Sequence, residues 1–252
     1  MKINFYHVGV ATCLLEIDGK IKIATDPALS PKGTILKFKS FETERLQDPK
    51  YDNDIFQNVD LWLITHLHED HLDLLGKDVI ADSALVLTNS DALSFLEGKN
   101  VVPLKWTEEY VTKFENYTIK ITTIPAYHGN NFITRKIVGK VNGYILEIFD
   151  GNDKTTIYLT SDTVYHKDVI NSISKELDII IANLGEVSAD KFGGPLTMSI
   201  EMLNQFVKEL KPTKVIPVHI DDFSHYMTTE DNVLKAGFSI LEKGKWIEIS
   251  DN

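Results

Sequence analysis

One short apolar run delivers the chain straight into a cluster of imidazoles and acids. Residues 59–65 read VDLWLIT, and HLHEDH overlaps the following positions 66–71. A short run rich in branched and aromatic residues predicts a strand buried on both faces. Such a strand must surface at its end, so the polar residues that follow mark a rim of the fold. The chain holds only 8 histidines in 252 residues, and His66, His68 and His71 crowd one turn. In extended backbone, side chains two apart point the same way, so His66 and His68 aim together. Asp70 and His71 follow where the chain turns and aim at a second point close by. Imidazole and carboxylate gathered in this way are donors for one or two divalent cations.

The remaining pattern is strand-rich with helices inserted. INFYHV (3–8), TCLLEI (12–17) and KIKIAT (20–25) surround an Asp18–Gly19 turn and predict a hairpin. Residues 30–58 are polar and charged, with prolines at 31 and 49, and predict a long loop or short helices. ALVLT (84–88), YTIKITTI (117–124), GYILEIF (143–149), TTIYLTS (155–161), LDIIIANL (177–184), KVIPVH (214–219) and KWIEIS (245–250) read as strands. A turn at DGND (150–153) joins the third and fourth of these. LDLLGKDVI (72–80), SDALSFLE (90–97), MSIEMLNQFVKELK (198–211) and TEDNVLKAGFSILEK (229–243) read as helices. In the third helix Ile200, Leu203, Phe206, Val207 and Leu210 share one face, and Pro212 follows its end. Two sheets packed face to face with helices outside are the expected α/β architecture. No repeat or linker divides the chain, which reads as a single domain over 1–252.

A two-cation site needs donors from elsewhere, and three candidates stand at strand ends. His128 follows YTIKITTIPAY, Asp162 follows TTIYLTS, and His219 ends KVIPVH. With these residues in view, the chain resembles the metallo-β-lactamase superfamily, whose HxHxDH signature HLHEDH matches. The resemblance extends to the branch holding the ascorbate-6-phosphate lactonase and the N-acyl-phosphatidylethanolamine phospholipase D. It rests on VGVATCLLEI, TDPAL (25–29), NGYILEI, SDTVY (161–165) and IPVH, and covers nearly the whole chain. Ser161 departs from the glycine usual before the aspartate and is expected to alter the loop slightly.

The resemblance implies a four-layer αββα sandwich with metals at one edge. It implies His66, His68 and His128 as ligands of one ion, Asp70, His71 and His219 of a second, and Asp162 as the bridge. It also implies a hydrolase in which a metal-bridging hydroxide attacks a small ester, lactone, amide or phosphodiester. A net positive site favours an anionic substrate. Water bound to such an ion has its pKa lowered from about 15.7 to about 7, so no serine or cysteine nucleophile is required. Asp70 or a metal-bound water is expected to return a proton to the leaving group. Zinc suits the donors best, with manganese or iron as alternatives. No cysteine stands near Asp162 and no glutamate replaces His68, which disfavours the antibiotic-destroying and flavodiiron branches.

The resemblance implies Asp26 as a partner holding a ligand's outer nitrogen, while the residues alone read equally as an ordinary Asp-Pro turn. Tyr165, His166, Asn130, Asn131, Arg135, Glu186 and His225 lie near the expected rim, with His225 the strongest of them. His7, in the first strand, reads as a core histidine. Composition narrows the functions. A net charge of −11 repels phosphate backbones and anionic lipid, so nucleic acid and membrane are not expected partners; KFK (37–39) is the one basic run. A small-molecule substrate is expected instead. A nuclease of the same fold and a non-catalytic metal-binding domain are the alternatives. The single cysteine, Cys13, fits a buried apolar role and a reducing, cytoplasmic setting.

Overall fold

The opening strands form because β-branched and aromatic residues alternate and a tight turn reverses them. In this computed structural model, which describes residues 1–38, 41–151, 153–190 and 193–250, Thr12–Ile17 pairs antiparallel with both Ile3–Gly9 and Ile21–Thr25. The turn residues Asp18 and Gly19 both take positive φ, as a two-residue hairpin turn requires. Lys39, the end of the basic run, and Asn152, within the DGND turn, lie outside the described residues.

The chain divides into two compact units. The first comprises residues 1–103, 221–225 and 241–252. Its main sheet runs in the order Trp246–Glu248, Ile3–Gly9, Thr12–Ile17, Ile21–Thr25, Leu61–Leu63, Leu85–Thr88, Asn100–Pro103. The first three pairings are antiparallel and the last three parallel. One face packs on Trp62, Leu14, Val86, Tyr6 and Leu72, all buried. Leu61, Trp62 and Leu63 are wholly enclosed, as their unbroken apolar run predicts.

The second unit comprises residues 104–220 and 226–240. Its sheet runs Lys214–Val218, Ile179–Asn183, Asp153–Leu159, Asn142–Asp150, Tyr117–Pro125, Glu109–Phe114. Here the first two pairings are parallel and the rest antiparallel. The Ile200–Leu210 helix starts at an Ser199 cap and buries Leu203 and Phe206, the face expected from its spacing. The fold is α/β of the metallo-β-lactamase type, with two mixed sheets flanked by helices. Among the described residues, no helix is long and apolar enough to cross a membrane.

Three expectations need correction. Residues 30–58 are not all loop: Ile35–Phe38 and Phe41–Glu44 form an antiparallel pair, hidden in the sequence by charges on its outer face. SDALSFLE does not make an α-helix. It forms a 3-10 turn, Ser90–Ala92, capped by the Asn89 side chain. The predicted helix over 229–243 covers only Glu230–Lys235, because Gly237 turns into the left-handed region at φ +88° and ends it.

Candidate metal centre

In the first unit the donors sit where a parallel strand ends. The chain leaves Leu61–Leu63 at its carboxyl end, the edge at which open α/β sheets gather ligands. His66 and His68 face each other as extended backbone predicts, Nε2 to Nδ1 at 3.0 Å. The chain then turns at Glu69–His71, bringing ring nitrogens of His71 within 4.8 Å of a donor atom on His66 and of one on Asp70. His66, Asp70 and His71 are buried. The turn is pinned beyond its last histidine by Asp73. Its carboxylate accepts from Leu29 N, Ser30 N and Gly76 N at 2.8, 2.6 and 2.7 Å.

Asp26 is buried beside His71. It stands in a turn at φ +37°, and its Oδ2 accepts from His71 Nδ1 at 2.9 Å and Thr65 Oγ1 at 2.7 Å. The Thr65 amide donates to Oδ1 at 2.7 Å. Burial pushes the Asp26 carboxyl up in pKa, and the His71 and Thr65 contacts oppose that rise. An acceptor on His71 Nδ1 directs the lone pair to Nε2, the usual arrangement for a ligating histidine. His225 belongs to this unit too. Its Nε2 lies 3.8 Å from Asp70 Oδ2, and its Nδ1 meets Thr43 Oγ1 at 2.7 Å.

In the second unit His128, Asp162 and His219 follow the carboxyl ends of Tyr117–Pro125, Asp153–Leu159 and Lys214–Val218. All three are buried. Asp162 divides its oxygens: Oδ2 stands 3.8 Å from His128 Nε2 and Oδ1 3.7 Å from His219 Nε2. These are too long for hydrogen bonds. Two donors on one tetrahedral zinc stand about 3.4 Å apart, from ligand distances of about 2.0–2.1 Å, so the spacing fits an ion on either side of the carboxylate. Asn183 Nδ2 donates to Oδ1 at 3.0 Å and fixes the carboxylate plane. The Leu196 carbonyl meets His128 Nδ1 at 2.8 Å and presents Nε2 as the donor. Gly185 is required beside His219, since a Cβ there would lie 2.8 Å from its Nδ1.

Ser161 does not reshape the loop by avoiding glycine's conformation. It adopts φ +58° itself, with a buried Oγ that has no hydrogen-bond partner. Tyr165 turns elsewhere: its hydroxyl donates to Glu209 and its ring packs edge-on against Phe206. His166 caps the Lys167–Ser172 helix, and Arg135 lies over the Tyr127 ring at 4.3 Å. Glu186 accepts from Thr228 Oγ1. His7 is a buried histidine bonded to the Val10 carbonyl. Two residues escaped the sequence reading. Asn183 carries no signal beyond its place at a strand's end. Tyr226, whose hydroxyl meets His219 Nε2 at 2.8 Å and whose ring stacks on it at 4.1 Å, reads in sequence as one tyrosine among nine.

Comparison with known proteins agrees with this fold. A family model described as a beta-lactamase superfamily domain matches residues 22–220. A UPF0173 metal-dependent hydrolase from Pyrococcus furiosus is 27% identical over 242 residues, covering 92% of this chain and 94% of that one. The crystal structure of a possible metal-dependent hydrolase from Veillonella parvula shares the fold at a TM-score of 0.84 and 23% identity, covering 99% of this chain and all of the other. An isothiocyanate hydrolase from Delia radicum gut bacteria shares it at 0.81 and 23%, covering 98% and 100%.

Proposed function

Since the chain belongs to the metallo-β-lactamase superfamily, we propose that it is a dinuclear metal-dependent hydrolase of the cytoplasm acting on a small substrate. The observation that carries this reading is the divided Asp162 carboxylate, with one oxygen toward His128 and the other toward His219. A carboxylate with one oxygen toward each histidine is the arrangement that a ligand shared by two ions would need. In this reading His66, His68 and His128 would hold one ion, Asp70, His71 and His219 the other, and Asp162 would be the shared ligand. Zinc is the first choice for such donors, ahead of manganese and iron. Bound divalent ions supply an acidified water and polarise the oxygen of the substrate.

The protein's own groups do the rest. Asp26 and the Leu196 carbonyl hold the outer nitrogens of His71 and His128, so neither ring must reorient when it binds. Asn183 keeps Asp162 in plane. Asp70 would return a proton to the leaving atom, with His225 Nε2 3.8 Å from its Oδ2. Lactones, aryl esters and phosphodiesters are the substrates that the lactonase and phospholipase resemblance favours. Isothiocyanates join them because one fold relative hydrolyses them, and their central carbon is likewise open to attack by water.

The test is elemental analysis of the purified protein followed by that substrate panel, with Asp162→Ala as control. Two equivalents of metal are expected in the parent and a clear deficit in the variant. Activity should fall at least a hundredfold, a carboxylate shared by two ions mattering at least as much as the outer-sphere partners of a metal site. Equal metal content and equal rates in parent and variant would discard the two-ion reading.

A further inference from the structure

The Ile35–Phe38 and Phe41–Glu44 hairpin has two faces of different chemistry. Phe38 pairs with Phe41 and Leu36 with Thr43, and alternation places these four on one face. The opposite face carries Lys37 and Glu42, ion-paired at 3.4 Å and largely exposed. At the base of the inner face Leu36 and Thr43 are buried, and the base is clamped to residues 223–225. Thr43 Oγ1 meets Ser224 Oγ at 3.0 Å and His225 Nδ1 at 2.7 Å. Ser224 N donates to the Glu44 carbonyl at 2.9 Å, and Arg45 bridges to Phe223.

Phe38 and Phe41, nearer the tip, stack on each other at 4.9 Å and stay only partly covered. Their edges meet histidines. Phe38 stands 5.6 Å from the His68 ring at 81°, and Phe41 stands 5.3 Å from His225. Partly exposed aromatic rings beside these histidines leave apolar area that an apolar group of a ligand would bury favourably. The geometry points to Phe38 and Phe41 as a specificity wall that receives an aryl or branched alkyl group of the substrate, while the scissile group lies at the metals. This deepens the proposed function and rests on His68 being a metal ligand.

Two non-hydrolysable probes, phenylphosphonate and methylphosphonate, test it by calorimetry on the metal-loaded protein. They share the anion and differ in the apolar group. Phenylphosphonate is expected to bind about tenfold more tightly, the size of a good aromatic contact. The double variant Phe38→Ala/Phe41→Ala should bring the ratio close to one at unchanged metal content, and Phe38→Leu/Phe41→Leu should retain most of it. The leucine variant, with its apolar bulk kept, guards against loss of the hairpin itself. A ratio that stays at the parent value in the alanine variant, or that is near one in the parent, overturns the wall while leaving the metal reading intact. A parent protein that binds no metal overturns both.

Discussion

Ser161 carries two local penalties at once. Its φ of +58° is a conformation that a side chain disfavours, and its buried hydroxyl lacks a partner. Glycine escapes both, at the expense of greater freedom in the unfolded chain. Ser161→Gly is expected to stabilise the protein by about 1 kcal/mol, read as a higher urea midpoint at unchanged slope. A lower midpoint would mean that the serine has a function that outweighs its strain. This residue also shows what sequence can tell. The departure from glycine was visible, but the backbone angle was not, because it is set by where the preceding strand ends. Asp26 was visible as a candidate only through the family resemblance of the TDPAL segment, since it lies far in sequence from the histidine cluster. Asn183 and Tyr226 were not, since their partners lie 21 and 7 positions away and no periodicity links them.

Among the elements, the Leu74–Val79 helix is held more tightly than its six residues suggest. Asp73 caps it and also grips residues 29 and 30. Gly76 lets it approach the Pro27 turn so closely that an added Cβ would fall 1.6 Å from the Pro27 carbonyl oxygen. That contact is backbone and cannot swing aside. Gly76→Ala should therefore destabilise by about 3 kcal/mol or more, despite alanine's better helix propensity, with thermal denaturation as the measure. A gain in stability would show the helix to be loosely docked. Strands were the legible elements, because buried runs such as 179–183 and alternating ones such as 117–125 depend on nearest neighbours. Short elements were not. The 35–44 hairpin looks like a charged loop because half of its residues face water, and the helix beginning at Glu230 was drawn too long because its apolar residues continue past Gly237 in turns.

At the scale of the molecule, burial of weak acids sets an alkaline limit. The Cys13 thiol and the Tyr158 phenol are both wholly buried, and desolvation pushes each far above its ordinary value of 9.0 or 10.0. Unfolding restores those ordinary values. Above them the unfolded chain sheds protons that the folded chain keeps, so stability is full below about pH 9 and declines as the pH rises further. Urea midpoints should be lower at about pH 10.5 than at about pH 8, and the difference should shrink in Tyr158→Phe. A midpoint that is flat across that range would contradict the burial of both groups. The way the first unit is assembled has a consequence for biosynthesis. Its edge strand Trp246–Glu248 pairs with residues 4–6, and its 221–225 segment arrives late. On the ribosome, the amino-terminal sheet waits with an open edge until residues 246–248 have emerged. A nascent chain stalled at residue 240 should still be protease-sensitive within its first hundred residues.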